Sequence, residues 1–368
     1  MVSLPTLLQL FIGPTIPIPA SYDVIDALDS LEVTNDDKQR DVFQMTFTLG
    51  KNTPLDYGLL LSGLLDPPNV VSIMVIINGM PQVLINGMIT QHQVVPSNEP
   101  GKSTLHVTGE DIGLKLDLEE KSTTYPNMPD FAIVTQLIAE QGMLPQVTPT
   151  TDVPLIFQRV PSQQGTDLAY IKQLAERNGF VFYTEPTLVP GLSTGYWGPE
   201  NRFATPQPAL TLNMGPDTNV DTPINFSYNA LGPAQPTITI IEPITKTPIT
   251  IPVPSGFRPP LAARPAQALR KTISRDVANL SPMDAALKAI ATATDTADAI
   301  TATGTVDTVR YGRALKSRGL VGVRGVGLNY GGFYYVKQVK HSIKRGEYTQ
   351  SFTLTREGLV SLLPAVVP

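Results

Sequence analysis

Residues 165–185, GTDLAYIKQLAERNGFVFYTE, combine a helix, a glycine and an aromatic strand, and they constrain the fold more than any other stretch. The apolar residues recur at helical spacing and should face a core: Leu168, Ile171, Leu174 and Ala175. The charged residues should face water: Asp167, Lys172, Glu176 and Arg177. Gly179 can end the helix in the left-handed conformation, and extended backbone is favoured by the aromatic residues that follow, Phe180, Phe182 and Tyr183. We therefore predict a helix over 165–178 that docks on a strand.

Residues 1–115 carry the alternation of β-strands. The segment LLQLFIGPTIPIPA predicts a strand and then a second strand broken by prolines. No Lys or Arg precedes it, so it lacks the charged region of a signal peptide. Residues 31–49 predict a polar turn and then a strand over Phe43 to Leu49, where apolar and polar residues alternate. Further strands are predicted at 70–77 and 83–89, joined by Asn78-Gly79, and at 103–108. Roughly four to six short strands of this kind favour a small barrel or sandwich.

Beyond residue 115, the apolar residues recur at helical spacing. Asp130 can cap a helix near 131–141, which Gly142 would end. Its apolar stripe is Ile133, Val134, Leu137 and Ile138. Together with the helix at 165–178, this pattern predicts a small α+β unit.

Residues 186–265 are rich in Pro, Thr and Asn. Each Pro removes a backbone donor, so the strand-like islands should be edge strands or separate pieces: 209–213, 224–228 and 237–241. Ser281 to Asp284 match a capping box with Pro at the first helical position, which predicts an alanine-rich helix reaching about Ile300. Three further strands, at 319–326, 332–341 and 348–355, then predict a second β unit.

Composition excludes several kinds of site. The 368 residues include no cysteine, which excludes disulfides and thiolate metal sites. The three histidines, His92, His106 and His341, lie far apart without carboxylate-rich ligand spacing, so we expect no metal and no cofactor. An uninterrupted run of about 18 apolar residues is missing, so we expect no membrane insertion.

The net charge of −5 hides an asymmetry between the two parts of the chain. Residues 1–263 carry 12 basic and 25 acidic residues, a net −13, and residues 264–368 carry 15 basic and 7 acidic residues, a net +8. The basic end could meet nucleic acid, an acidic neighbour protein or water. Its basic residues alternate with apolar ones over 310–345, which favours solvated strand faces.

Two patterns resemble catalytic sites, and we expect neither to be catalytic. Gly191 to Gly195 match G-x-S-x-G, but Pro190 precedes them and no helix follows, so Ser193 should lie in a flexible loop. Glycan cleavage needs two acids that flank a sugar bond, whereas adjacent acids on an extended chain point in opposite directions. The doublets Glu110-Asp111 and Glu119-Glu120 are therefore predicted to be solvated turns.

Three further patterns resemble ligand sites. Gly322, Gly325 and Gly327 suggest a nucleotide loop, but a phosphate cradle needs a following helix N-terminus and a strand is predicted instead. The basic residues Arg310, Arg313, Lys316 and Arg318 could contact DNA phosphates, or they could face a protein interface or a water-filled lumen. The aromatic residues Tyr330 and Phe333 to Tyr335 could stack on ligands, although sheet packing explains them more simply.

Five blocks occur in the order typical of central hub proteins of contractile injection machines. They are DVFQMTF, VLINGMITQHQV, LHVTGEDIGLKLDLEEKS, the 165–185 block and GLVGVRGVGLNYGGFYYVKQVKHSIKRGEYTQSFTLTR. In this order the chain resembles the late control protein D family of phage tails and the hub portion of VgrG-like proteins. Residues 186–265 do not match clearly.

The resemblance implies a mainly β fold with an α+β insertion. The expected domains are a tube-like β-barrel at 1–115, an α+β domain at 116–200, a second tube-like barrel at 201–245 and 301–368, and a Pro-rich and helical insertion at 246–300. Only EGLVSLLPAVVP follows Arg356, so no fused spike is expected and a separate spike protein is implied.

The function implied is a baseplate hub without catalysis. A homotrimer would join the sixfold tail tube protein to a trimeric spike protein and line the channel through which DNA or effector cargo passes. Baseplate wedge proteins and the tape measure protein are further expected partners, in a virion or injection particle assembled in the bacterial cytoplasm. The alternative is a stand-alone β-rich binding module or a protein that acts on cell-wall glycan.

Overall fold

The computed structural model describes residues 6–50, 57–99, 101–150, 160–220, 222–241, 248–252, 259–273, 293 and 297–362. The fold is mainly β, with large antiparallel sheets, as expected. The alanine-rich helix predicted from Ser281 to about Ile300 lies mainly outside the described residues. Its predicted end is wrong, because residues 297–299 are not helical and Ile300 begins a strand.

The strands, numbered along the described chain, are β1 (Leu7–Gly13), β2 (Ile18–Pro19), β3 (Leu28–Asp36), β4 (Val42–Leu49), β5 (Val70–Ile77), β6 (Met80–Val95), β7 (Ser103–Asp111), β8 (Glu120–Thr124), β9 (Leu144–Val147), β10 (Ser162–Thr166), β11 (Val181–Pro186), β12 (Ser193–Gly198), β13 (Gln207–Thr211), β14 (Asn225–Tyr228), β15 (Ala234–Ile241), β16 (Pro248–Pro252), β17 (Ala262–Pro265), β18 (Arg270–Ile273), β19 (Ile300–Asp307), β20 (Leu320–Arg324), β21 (Gly332–Lys344), β22 (Glu347–Arg356) and β23 (Gly358–Ser361). The helices are α1 (Tyr22–Ala27), α2 (Gly58–Leu61), α3 (Asp130–Glu140), α4 (Asp167–Asn178), α5 (Thr308–Tyr311) and α6 (Gly327–Tyr330), with short 3-10 helices at Ile112–Asp117 and Gly215–Asp217.

Strands from the N-terminal and the C-terminal parts of the described chain form one large sheet. It contains 13 strands, and its main path is β14-β19-β22-β21-β3-β4-β7-β6-β5-β1-β2, with β20 paired to β21 and β13 paired to β20. The antiparallel pairing of β21 with β3 joins its two halves, from Gln338 opposite Asp36 to Lys344 opposite Ser30. We call this pairing the internal joint.

The two halves of the sheet repeat the same arrangement. Along the chain the first half has the order β3-β4-α2-β5-β6-β7 and the second half has β14-β19-α5-β20-β21-β22. In space both give the same strand order, β3-β4-β7-β6-β5 and β14-β19-β22-β21-β20. A β-bulge also recurs at the same place, at Thr90 between β6 and β7 and at Lys337 between β21 and β22. We call these halves the first and second β units.

Each β unit is built around its own hydrophobic cluster. In β4 the apolar residues Phe43, Met45 and Phe47 are fully buried on one face, as their alternation predicts. The cluster of the second unit contains Ile300, Val336 and Leu354, each fully buried. Burying a side chain of this size contributes about 1.5–3 kcal/mol, so these clusters account for much of the stability of the sheet.

Between the β units in sequence lies a compact α+β unit with a third cluster. Helices α3 and α4 pack with the strand pair β10-β8 and the sheet β11-β12-β9. Leu174 in α4 and Trp197 in β12 are both nearly inaccessible. The sequence-based prediction of both helices is thereby confirmed within two residues at each end.

The ends of α4 are formed as their residue types require. The Thr166 hydroxyl accepts a hydrogen bond from the Ala169 amide at 3.2 Å, which caps the first turn. Gly179 has φ 68° and ends the helix in the left-handed conformation, as predicted.

The predicted wet face of α4 is wrong at its first residue. Asp167 is only 2% exposed, and its carboxylate accepts hydrogen bonds from Lys121 and from Gln163, each at 2.7 Å. Because both donors come from the neighbouring strands β8 and β10, helical periodicity alone could not reveal this burial.

Several strand predictions hold and others need correction. The early strands and the Asn78-Gly79 turn are confirmed, with φ of 51° and 79° at the two turn residues. The islands that became β13 and β14 are edge strands, as expected. Strand β15 belongs to a separate three-stranded sheet, which fits the alternative of separate pieces, and lies there between β16 and β18. The polar turn expected at the end of β3 is strand up to Asp36, because buried hydrogen bonds satisfy its polar residues.

Candidate functional site

Arg318 lies at the meeting point of the two β units and the α+β unit, and is 8% exposed. Its guanidinium donates to the Asp36 carbonyl at 2.8 Å and to the Thr184 carbonyl at 3.1 Å. It also forms an ion pair with Asp41 at 2.5 Å and stacks over the Tyr183 ring, with 4.4 Å to the ring centroid. One arginine of the second β unit therefore contacts both other units.

A chain of hydrogen bonds continues from Asp41 along the internal joint. The Asn35 amide donates to Asp41 at 2.9 Å, and its carbonyl oxygen lies 3.0 Å from His341 Nε2. His341 Nδ1 lies 2.7 Å from the Tyr348 hydroxyl and 3.2 Å from the Gln350 amide nitrogen. This pattern assigns the proton to Nε2, because Nδ1 faces two donors.

Burial determines the charge state of this cluster. It lowers the pKa of His341 to about 3, so the imidazole is neutral near pH 7. It also raises the pKa of Asp41, while the adjacent Arg318 guanidinium opposes that rise. The ion pair to Arg318 and the hydrogen bonds from Asn35 and the Asp36 amide stabilise the carboxylate form.

Asp111 extends the cluster into the α+β unit. Its carboxylate accepts hydrogen bonds from the Asp41 amide at 2.8 Å, the Gly113 amide at 2.7 Å and the Thr184 hydroxyl at 2.6 Å. The solvated turn predicted for Glu110-Asp111 is therefore wrong: both residues end β7, Asp111 is buried, and Glu110 pairs with Arg40 at 2.8 Å. Glu119 and Glu120 are exposed as expected, but Glu120 begins β8 and is not part of a turn.

A second buried cluster surrounds Arg202, whose side chain is fully buried. It forms ion pairs with Glu200 at 3.1 Å, Glu357 at 3.2 Å and Asp298 at 3.3 Å. The Glu357 carboxylate also accepts hydrogen bonds from the backbone amides of Leu261 and Ala262. The cluster thus links segments that are far apart in the chain, and no local sequence pattern could have indicated it.

The space at the internal joint is too small for a substrate. A cavity of about 50 Å³ adjoins Asn35, Asp41, Arg318 and His341. That volume suits ordered water, since small-molecule sites measure about 300–1,000 Å³. The cluster can therefore fix the relative positions of three units, and it offers no room for chemistry on a bound molecule.

A wider opening of about 620 Å³ lies at another edge of the first β unit, where its charged residues are Asp23, Asp26, Asp29 and Arg345. Arg345 pairs with Asp26 at 3.2 Å, but both side chains are more than half exposed, so water and salt screen the pair. The opening adjoins Gly50 and Gly58, which flank residues 51–56 outside the described part of the chain.

Ser193 does not lie in a flexible loop, which corrects the prediction for the G-x-S-x-G match. It begins β12, is 2% exposed and pairs with Pro186 of β11. The extended conformation follows from the antiparallel pairing of β12 with β11, in which Tyr196 stacks on Tyr183 and Trp197 is buried in the cluster of the α+β unit. His341, the histidine downstream of Ser193, is in β21 and hydrogen-bonds within the internal joint.

The three histidines lie in different surroundings. His92 faces Asp66 at 3.4 Å and His106 faces Thr46 at 3.2 Å, whereas His341 is part of the internal joint. Within the described ranges, no group of three or more His, Cys, Asp and Glu side chains is arranged to hold a metal ion.

The glycine-rich stretch is followed by a helix and not, as predicted, directly by a strand. Helix α6 begins at Gly327, but it is a single turn before β21. Left-handed backbone at Gly325 and Gly327, with φ of 77° and 81°, explains the glycines as parts of a tight connection. A one-turn helix is too short to provide a phosphate site.

The basic and the aromatic candidate residues differ in how far their side chains are buried. Arg310, Arg313 and Lys316 are exposed. Arg318 is buried and pairs with Asp41, so the alternative of phosphate contact does not hold for it. Tyr334 and Tyr335 are fully buried, and Tyr330 packs against Phe226 with 5.0 Å between ring centroids. Their contacts are those of sheet packing, as the simpler explanation expected.

Solved structures with a similar fold include two tail proteins and a chain of a complex with VgrG. They include the tail protein of Neisseria meningitidis MC58, with TM-score 0.64 and 14% identity over 97% of this chain and 98% of that one. The 43 kDa tail protein of prophage MuSo2 from Shewanella oneidensis has TM-score 0.66 and 13% identity over 96% and 99% of the two chains. A chain of the lidded Francisella PdpA-VgrG complex has TM-score 0.62 and 11% identity over 100% of this chain and 55% of that one. The protein therefore shares the fold of these tail proteins.

Comparison of the sequence with known families gives one partial match. A family model described as the Alg8 N-terminal domain matches residues 28–189, which is less than half of the chain. The matched range takes in strands of the first β unit and most of the α+β unit, but stops before β12. No curated protein matches the sequence. None of the described helices is long and apolar enough to cross a membrane.

Proposed function

We propose that this protein is a structural hub of a contractile tail or injection machine. The observation that carries the proposal is the internal repeat: two β units of the same strand order, joined edge to edge within one chain. Three such chains supply six similar units to a sixfold tail tube, while the chains themselves obey threefold symmetry. A homotrimer can therefore join the tube on one side to a trimeric spike on the other.

The buried polar clusters support a structural role for the chain. Arg318 and Arg202 each engage several partners from distant segments, which fixes the units relative to one another. A hub that transmits force between tube and spike requires such rigid connections. In this proposal the hub lines the channel for DNA or effector cargo, and wedge and tape measure proteins contact it in the particle, which assembles in the bacterial cytoplasm.

The domain division predicted from the sequence becomes part of this proposal. The first tube-like barrel would span residues 1–115, the α+β domain 116–200, the second barrel 201–245 with 301–368, and a Pro-rich and helical insertion 246–300. The separate hydrophobic clusters of the described residues support such a division.

Deleting the gene tests the hub function. We expect the host to produce no complete tails, because tube polymerisation would lack its starting ring, and we expect the full-length chain supplied in trans to restore them. Electron microscopy of purified particles measures the yield of complete tails. Normal numbers of tails that carry both tube and spike in the deletion strain would overturn the proposal.

A hydrolase assay tests the alternative of a glycan-acting protein. We expect the purified chain to release no fragments from bacterial cell-wall glycan, and we expect Ser193→Ala to leave that result and the folding unchanged. Hydrolysis by the native chain that disappears in Ser193→Ala, with unfolding temperature unchanged, would favour the enzyme.

A further inference from the structure

The internal joint provides a template for contacts between copies of the chain. In the second β unit, the first part of β21 pairs with β20, and the part after the Lys337 bulge pairs with β3 on that same edge. Strand β3 comes from the first β unit, where it is the outermost strand next to β4. The internal joint thus pairs the C-terminal part of β21, the long strand of the second β unit, with β3, the outermost strand of the first β unit.

The first β unit carries the matching half of a second joint. Its long strand β6 pairs with β5 as far as Met88 and then continues past the Thr90 bulge to Val95. Over Gln91 to Val95 one edge of β6 pairs with β7, and no strand in the described chain pairs with the other edge. The bulges align Gln91 with Gln338, so this open edge of β6 is the counterpart of the edge of β21 that receives β3.

The second β unit carries the other half. Strand β14 occupies the position of β3, because each is the outermost strand of its unit, beside β19 and β4 respectively. Phe226 corresponds to Val33, because their partners Ala302 and Phe43 occupy equivalent places on β19 and β4. Ser227 corresponds to Thr34 in the same way, through their partners Thr301 and Val42. Within the described ranges, β14 ends the sheet with an open edge.

We infer that β14 of one copy pairs antiparallel with residues 91–95 of β6 in the next copy, and so repeats the internal joint between chains. The template fixes the register: Ser227 lies opposite Gln93, as Thr34 lies opposite Lys340 in the internal joint. It likewise sets Phe226 opposite Val94 and Tyr228 opposite His92. The occupant of each open edge is therefore a second copy of this chain.

Exposure at equivalent positions supports the inference. Asn35 is 8% exposed in the internal joint, whereas its counterpart Tyr228 on the open edge is 43% exposed. His341 is buried in the joint, whereas its counterpart Val94 is only partly buried. Val95, at the end of the open β6 edge, is also 43% exposed. Unpaired strand edges with exposed apolar and aromatic side chains are surfaces that proteins ordinarily cover.

The pairing is head-to-tail, which determines what the assembly can be. Each copy offers one β14 edge and one β6 edge at separate places in the sheet, so the contact joins different surfaces on the two partners. Contacts of this type close into a ring when the rotation between copies permits. The inference rests on the proposed function only for the number of copies in that ring.

Disulfide trapping tests the register, because the chain contains no cysteine of its own. Antiparallel partners have Cα atoms about 4.5–5.5 Å apart, within the range that a disulfide spans. We expect oxidised Gln93→Cys/Ser227→Cys protein to form chains linked to one another, seen as dimers and larger species on non-reducing gels and as monomers after reduction. Multi-angle light scattering of the unmodified protein measures its self-association in parallel.

Two matched variants control the experiment. The internal pair Thr34→Cys/Lys340→Cys should close within each monomer and so report that the fold and the chemistry are sound. The pair Gln93→Cys/Asn225→Cys, two residues out of register, should link copies at least 10-fold less. Equal linking by the two open-edge pairs would overturn the register, and so would monomers alone from Gln93→Cys/Ser227→Cys while the internal pair closes.

The outcome separates this inference from the proposed function. Complete tails that contain the chain, together with failure of the Gln93 and Ser227 pair to link copies, would leave the hub intact and refute the strand pairing. Specific linking in a protein that is absent from tails would support the pairing and refute the hub.

Discussion

Arg318 is the residue on which the connection between the three units depends most directly. Replacing it by methionine, as Arg318→Met, leaves the buried Asp41 carboxylate without its ion-pair partner, and we expect a loss of about 3–5 kcal/mol in unfolding free energy. The double variant Arg318→Met/Asp41→Asn should recover part of that loss, because no unpaired charge remains. Differential scanning calorimetry measures both. The exposed Arg313→Met, in the same connection, is the control and should change little.

An unfolding temperature for Arg318→Met equal to that of the native chain would contradict this account of the joint. A double variant less stable than the single variant would also count against it, since it would show that the charge of Asp41 is not the source of the penalty.

His341 makes stability depend on pH in a defined direction. Its pKa is about 3 when folded and about 6.5 when unfolded, so the unfolded chain binds the additional proton between these values. The contribution of His341 is complete above pH 6.5 and is lost as the pH falls towards 3. Compared with His341→Gln, the native chain should therefore lose its advantage by about 1.4 kcal/mol per pH unit below pH 6.

Unfolding of the native and His341→Gln proteins at matched pH values measures this difference. Effects of other acids near the joint, such as Asp41, largely cancel in the comparison because both proteins contain them. A gap between the two proteins that stays constant from pH 7 to pH 4 would contradict the burial of a neutral imidazole.

Helix α4 is the element on which the α+β unit depends. Leu174 is 2% exposed in its core, so Leu174→Ala should cost about 2–5 kcal/mol and Leu174→Asp should prevent folding of the unit. The neighbouring Gln173 is exposed, and Gln173→Ala should be nearly silent. Thermal unfolding beside a count of complete tails measures both effects. Normal folding of Leu174→Asp would refute the packing of this helix.

Elements held by local patterns could be predicted from the sequence, and elements held by distant contacts could not. Helix α4 follows from the spacing of Leu168, Ile171 and Leu174 and from Gly179, all within a short window. The end of β3 was hidden because Asn35 and Asp36 suggest a turn, yet Asp36 meets Arg318, which lies 282 residues away in the chain. Such a pairing leaves no periodic signal in the sequence.

At the scale of the whole molecule, the repeat of β units is visible in strand order and hidden in sequence. Equivalent positions differ in chemistry: Phe43 corresponds to Ala302, and Val94 corresponds to His341. Strand pairing and the common bulge preserve the relation because a sheet constrains backbone register more strongly than side-chain identity. The resemblance to hub proteins predicted two similar β units, but their similarity can be seen only in the fold.

Counting copies in the assembled particle tests the central claim, that this chain forms a threefold ring of six β units. Cryo-electron microscopy of intact tails can resolve the layer that contains the chain at the junction of tube and spike. We predict three copies in that layer, with their six β units in register with the six subunits of the adjoining tube ring. A layer of six copies, or a position away from the tube axis, would contradict the claim.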